Sequence, residues 1–446
     1  MFSDGPEYEA RLNRPFTPPT ATLKELHDAV PKHLLQKDPW RSFGYVLRDI
    51  VFCVLLFWFG ASIDRIAHSG FGGLVRLTDP WEVKLLTGVL WLSYWWWQGL
   101  VFTSFFCIAH ELGHGTLFHS WYANNIPGFL IDTFIMVPFF AWKASHNAHH
   151  KAVGSIERDE NYVPYLRSDF KLPPQERARR ADYAEVFDET PIMTVVRLFI
   201  MQGFGWWLYM GCNIMGSPMY PAGTNHFSPY SPLFKKEQRM GIFVSDLALL
   251  AMGSLLVYAG QTYGWKAVLM YYVIPYMLCN HWIVMCTFLH HSDPTIPHYR
   301  KEEWSFLRGA AATVDRPILG WMGRFFFHNV SHDHIAHHFF SQAPFCKSDN
   351  QERIIPFDLS WLDNQPQITQ AIRSVLKEDY NYDSTNSLYA LYRSFTECVF
   401  VEDEGGIVFY KNADGVASRY VADSELVKLK SRGWSSTNQD KLERES

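Results

Sequence analysis

Four apolar runs, each close to twenty residues, restrict this chain more than any other feature. They are FGYVLRDIVFCVLLFWFGASI (43–63), LLTGVLWLSYWWWQGLVFTSFFCIA (85–109), GIFVSDLALLAMGSLLVYAG (241–260) and AVLMYYVIPYMLCNHWIVMCTFL (267–289). A helix needs about 20 such residues to cross the hydrocarbon of a bilayer. No water is present there, so a spanning segment must satisfy its own backbone, and a helix does this. The sequence therefore predicts an all-α integral membrane fold with four transmembrane helices. The gaps within 43–109 and 241–289 are short, so the spans pair as two hairpins.

Composition agrees with a few spans plus large water-facing parts. Aromatics make up 16% and charged residues 19% of the chain, which suits interfacial Trp/Tyr belts. The mean hydropathy of −0.12 is too low for a chain that is membrane throughout. A net charge of −5 with no basic stripe gives nucleic acid no footing. An even number of spans puts residues 1–42, the section 110–240 and the tail on one face. Six Lys/Arg before residue 45 (Arg11, Arg14, Lys24, Lys32, Lys37, Arg41), against Arg76 alone in 66–83, make that face cytoplasmic. The first residues show no signal-peptide pattern, so the first span is expected to act as its own insertion signal. The seven cysteines form no CxxC pair and are expected to be reduced.

The expected organisation is a cytoplasmic N-terminal segment (1–42), a membrane domain (43–400) and a cytoplasmic C-terminal lobe (401–446). Residues 23–35 read as an amphipathic helix ahead of the membrane. Stretches at about 126–142 and 192–215 are apolar but broken by Gly and Pro, and read as interfacial helices. A third hairpin is the alternative that keeps the same parity. The stretch after 400 carries turn residues between apolar pairs and reads as two strands.

Histidine supplies the chemistry. The 19 histidines cluster as HELGH (His110, His114), HNAHH (His146, His149, His150) and HIAHH (His334, His337, His338), with HH at 290–291 where the fourth span ends. On a helix, positions i, i+3 and i+4 fall within an arc of about 100°. Each box thus offers two or three imidazoles on one face. Eight or nine donors exceed what one ion takes, so two metal ions with four or five histidines each fit better. Imidazole suits Zn, Cu, Fe and Ni alike. Taken alone, HELGH reads as the HExxH helix of a zinc metalloprotease with Glu111 as base. That reading leaves the other two boxes without a role. A metal transporter is a further reading from another class.

The three boxes, together with AHELGHGTLF, VPFFAWKASHNAHHKAVGSIERDENYVP, TFLHHSDPTIPHY, EWSFLRGAAATVDR and FFHNVSHDHIAHHFFSQAPF, resemble the membrane fatty acid desaturases, in particular the delta-12 (oleate) group of fungi and plants. The resemblance implies four spans under a cytoplasmic His-rich cap that holds a di-iron site. Its ligands would be His110, His114, His146, His149, His150, His334, His337 and His338, with His291 matching the histidine that follows the last span. Glu111 and Asp333 would orient ligand histidines. The implied reaction uses O2 to place a cis double bond in an 18-carbon unsaturated chain carried on phospholipid or CoA. The implied setting is the endoplasmic reticulum membrane. No His-Pro-Gly-Gly haem motif occurs, so electrons are expected from separate cytochrome b5 and its NADH-dependent reductase. The chain departs from the family at Leu112 (usually Cys), at His290 (usually Gln) and at His332-Asp333-His334 (often Asp-Thr-His). An acetylenase, a conjugase, a hydroxylase and a desaturase of another position share this scaffold and stand as alternatives.

Overall fold

The structure is a computed structural model and describes residues 3–74, 77–345 and 364–431. Arg76, Cys346 and the last part of the expected C-terminal lobe, 432–446, lie outside the described residues. The helices that position the site are α1 (Pro6–Leu12), α2 (Leu23–Ala29), α3 (Pro39–Gly73), α4 (Pro80–His114), α5 (Trp121–Phe134), α6 (Phe139–Ala152), α7 (Pro191–Cys212), α8 (Arg239–Tyr263), α9 (Ile274–His291) and α10 (His334–Phe339).

Local chemistry sets several of their limits. α4 starts at a capping box of Asp79 and Glu82 with Pro80 in its first turn, and it stops at Gly115, whose φ is 74°. His110 and His114 therefore occupy the last turn of a 35-residue helix. α9 continues a helical stretch from Trp265 through a π turn at Leu269–Val273. Pro275 has no N–H to give the turn before it. The carbonyls of Met270 and Tyr271 instead accept from Trp95 Nε1 (2.9 Å) and Tyr94 Oη (2.8 Å). A broken helix is thus repaired by its neighbour, as a lipid setting demands.

By length and hydropathy, four segments suffice to cross a membrane: Pro39–Gly73, Pro191–Cys212, Lys236–Tyr263 and Trp265–His291. This set differs from the expected four in one exchange. α7, read from sequence as lying on the bilayer, is one continuous helix of 22 residues and qualifies. α4 does not, because Trp91, Tyr94, Trp95, Trp96, Trp97 and Gln98 lower its hydropathy despite its length. The expected single helix at 126–142 is two helices, α5 and α6, bent by 110°. Met136 with φ 55° and Pro138 make that bend.

α3 and α4 run antiparallel, with Asp49 beside Ser104, Cys53 beside Gln98 and Gly60 against Tyr94. A Cβ at Gly60 would stand 2.9 Å from the Tyr94 ring, so only glycine permits this approach. α4 and α9 run parallel, Tyr94 meeting Tyr271 and Gly99 meeting Leu278. Their C-termini, which carry His110, His114, His290 and His291, consequently reach the same end of the bundle. α7 lies antiparallel to α9, with Gly205 on Val284 and Trp207 on Tyr276. α8 turns into the next helical stretch at Gly264 alone and leans on α6, where Phe140 N donates to Ser245 Oγ (3.1 Å).

A cap of loops and short helices covers the histidine end. Strand β1 (His298–Tyr299) pairs antiparallel with β2 (Ile407–Val408). The expected two-strand hairpin after residue 400 is therefore shared. β2 finds its partner 109 residues upstream in register Tyr299–Ile407, and among the described residues only isolated bridges at Phe400–Lys411 and Lys411–Ala417 join the tail to itself. Further bridges tie Phe16 to Val421 and Leu166 to Val401. Beneath them a buried ionic cluster joins Arg316 to Asp293 (2.6 Å) and to Asp383, and Arg393 to Asp383 (2.6 Å). The six cysteines among the described residues are free.

Candidate metal centre

All nine histidines singled out from the sequence meet at the inner face of the cap, in two groups. In the first, α4 gives His110 and His114, α6 gives His146 and His150, and α10 gives His337. Their Nε2 atoms form a chain: 3.3 Å from His110 to His114, 3.1 Å to His146, 3.0 Å to His150 and 3.1 Å to His337. In the second, His149 of α6, His291 of α9 and His338 of α10 face one another. His334 completes it, with its Nε2 3.0 Å from that of His291 and 3.1 Å from that of His338.

The two HxxHH boxes divide in opposite senses. On α6 the i, i+4 pair His146/His150 enters the first group and His149 the second. On α10 the pair His334/His338 enters the second group and His337 the first. Adjacent helical positions differ by about 100°, so the third histidine of each box reaches the neighbouring group. Repetition of one motif thereby builds two sites side by side.

These residues fit metal ions. Nitrogen donors at about 2.1 Å from one ion stand about 3.0 Å apart at right angles and about 3.4 Å apart at tetrahedral angles. The observed 3.0–3.3 Å spacings fall within this range, and the five donors of the first group exceed what a four-coordinate zinc site takes. Burial holds His334, His337 and His338 well below the ordinary imidazole value, so they are neutral and have lone pairs to give. Neutral imidazoles gathered within about 3 Å of one another offer lone pairs that a cation can bridge.

Carboxylates reach the far side of three rings. Glu111, fully buried, puts Oε1 3.4 Å from His110 Nδ1 and 3.6 Å from His337 Nδ1, while Thr116 Oγ1 donates to its Oε2 (2.8 Å). It does not line the cavity described below, so it has no access to a water or peptide there. Asp159, which sequence reasoning missed, accepts from His149 Nδ1 at 2.6 Å and from the Gly154 N–H at 2.8 Å. The acidic run ERDE, which places Asp159 ten residues after His149, was its only signal. Asp333 meets Arg324 (3.2 Å), and burial pushes its carboxyl up to about 6.

An apolar cavity opens beside both groups. Its walls come from α4 (Thr103, Phe106, Cys107), α7 (Gly205, Trp206, Tyr209) and α9 (Trp282, Val284, Thr287), and its inner end is formed by His110, His146, His290 and His334. Of the four tryptophans 95, 96, 97 and 142, only Trp142 lines it; Trp96 packs on Trp282 and Trp97 on Phe326. Leu112 is buried against Gly128 and faces neither cavity nor imidazoles, whereas His290 lines the cavity and stacks 4.0 Å from His334.

Fold and site together define a helical membrane protein whose buried imidazoles can hold metal beside an apolar cavity. Comparison with known proteins makes this specific. A family model described as fatty acid desaturase matches residues 89–356, and one described as a domain of unknown function matches residues 5–57. A delta(12) fatty acid desaturase of Mortierella alpina is 36% identical over 90% of this chain and 93% of its own length. An oleate hydroxylase of Claviceps purpurea is 32% identical over 91% of this chain and 84% of its own length. An oleoyl-12-hydroxylase of Ricinus communis is 33% identical over 89% and 92% respectively. The chain belongs to the fatty acid desaturase family and is an oxidoreductase that acts on fatty acids.

Proposed function

We propose that this protein converts an oleoyl chain to a linoleoyl chain by placing a cis double bond at the delta-12 position. The observation that carries the reading is the single cavity that touches both histidine groups. Two irons, ligated by His110, His114, His146, His150 and His337 on one side and His149, His291, His334 and His338 on the other, would supply the O2 chemistry that strong C–H bonds require. The substrate loses two hydrogens from neighbouring CH2 groups. O2 takes these, two further protons and two electrons, and leaves as two waters. The electrons would come from cytochrome b5 and its NADH-dependent reductase.

The protein's own residues perform positioning. Phe106, Trp206 and Trp282 exclude water and hold the chain in one pose, so that a chosen CH2–CH2 unit lies at the histidine end. Asp159 and Glu111 hold imidazole rings by their Nδ1 side and make the ligating nitrogens better donors. The cap faces the cytoplasm in an endoplasmic reticulum membrane, and the membrane domain carries the chemistry. The carrier is phospholipid or CoA.

A second reading, hydroxylation of the same carbon, is favoured by the hydroxylases among the relatives. Expression in a host without polyunsaturated acyl chains separates the two. The expected new product is the cis-9,cis-12 diene. A hydroxylated acyl chain in its place would install the second reading.

A further inference from the structure

Residues 5–57 coincide with the region whose family description assigns no function. In the structure this stretch reaches α4, the end of α9 and the apolar cluster of α10, which also holds Val153, the residue that follows α6. We propose that it is a positioning strap, whose role is to keep the two histidine groups in register so that metal is retained. This rests on the reading of the nine histidines as metal ligands.

Four anchors support it. First, Arg11 is buried, and its Nε donates to Thr295 Oγ1 at 2.9 Å, four residues past His291 at the end of α9. Its guanidinium also lies 3.9 Å from Asp293, which is paired with Arg316, and Arg316 Nε donates to the Leu289 carbonyl within the last turn of α9. Second, Leu26, Val30 and Leu34 form one buried apolar cluster with Ile335, Ala336 and Phe339, the residues of α10 that alternate with His334, His337 and His338. That cluster includes Val153, which directly follows α6. Third, Lys37 Nζ donates to the Gly115 carbonyl (2.6 Å), placing a cation on the C-terminus of α4 one residue past His114. Fourth, the Asp49 carboxylate bonds Ser104 of α4 and lies 2.9 Å from His328 Nε2, six residues ahead of His334. His328 and Asn329 hold left-handed φ values of 47° and 66°. Such backbone persists only where surrounding contacts fix it.

The four ligand-bearing elements lie far apart in sequence, and α10 belongs to the cap, whereas α4 and α9 pack against each other within the bundle. A site of this kind works only if its ligands stay within about 0.5 Å of their places. A strap that ties all four by successive anchors meets that need, and none of its residues is itself a ligand.

The test uses the full-length protein in detergent, loaded with ferrous iron, with a ferrous chelator as probe. Lys37→Met and Arg11→Met, singly and together, are compared with Lys37→Arg. Helix content and monodispersity of each metal-free variant are recorded alongside. The proposal expects the Met variants to surrender iron at least about tenfold faster than wild type. It expects Lys37→Arg to restore the wild-type rate, with helix content unchanged throughout. Wild-type stripping rates in the folded Lys37→Met and Arg11→Met variants would overturn it. If the double variant fails to fold, the two single variants decide by the same criterion. Wild-type protein that takes up no iron would instead overturn the reading of the histidines beneath it.

Discussion

Removing the Asp159 carboxylate isolates one imidazole from its support. Asp159 lies on the side of His149 away from the metal-facing nitrogen, with its Oδ1 2.6 Å from Nδ1. It is buried, and its two oxygens also accept from the Gly154 and Asn161 amides at 2.8 and 3.2 Å. Partners of this kind are worth about 10–100-fold in metal affinity, or about 1.4–2.7 kcal/mol. His149 belongs to the second group alone, so the loss should fall on one of two ions. In Asp159→Ala, two amides also lose their acceptor, at about 1–3 kcal/mol each. In Asp159→Asn, one oxygen remains to accept from His149, while the charge and the acceptor of one backbone amide are lost, so its effect should lie between wild type and Asp159→Ala. The assay is chelator titration of anaerobically iron-loaded protein, which resolves two stripping steps. One step should move by about 10–100-fold in Asp159→Ala and the other should stay. Two steps that move together, or neither moving, would refute the assignment of His149 to a separate ion.

Two further outcomes test other parts of the structure. Gly205 lines the cavity, and a Cβ there would already stand 3.2 Å from Met215 and 3.5 Å from Val284, so Gly205→Leu should obstruct acyl entry. Product formation should fall by about 100-fold, read by fatty-acid profiling, with iron content unchanged; undiminished product would show that the chain takes another path. His226 is buried against Tyr209, and burial lowers it to about 4. An imidazole with a depressed value contributes stability above pH 6.5 and loses it as pH falls toward 4. From pH 7 to pH 5 it should account for about 2 kcal/mol of destabilisation. His226→Gln should flatten that segment of the unfolding profile in detergent, and an unchanged slope would refute the argument.

The residues that carry chemistry were legible because their spacing is dictated by helix geometry. HxxxH and HxxHH mean little unless the segment is a helix, and the boxes lie on α4, α6 and α10. The division of each HxxHH between two groups was not legible, because it depends on how α6 and α10 face one another across the cap. Asp159 was hidden for the same reason: its partner is set by a turn at Ser155–Arg158, not by a repeat. The long helices followed from apolar length, yet two of them differ from expectation: α4 falls short on hydropathy and α7 qualifies. α4 is rich in Trp and Tyr, whose polar edges find carbonyl partners in a neighbouring helix. α7 reads as interrupted by glycine, but Gly203 and Gly205 sit inside an unbroken helix, and Gly205 gives the cavity room. The strand after residue 400 was visible as a pattern, but its partner 109 residues upstream was not.

Metal content is the most direct test of the account. Full-length protein purified in detergent after expression with iron should contain about two irons per chain, and His146→Ala or His149→Ala should each remove about one while the protein stays in the membrane. One zinc per chain, unaffected by either substitution, would contradict the account.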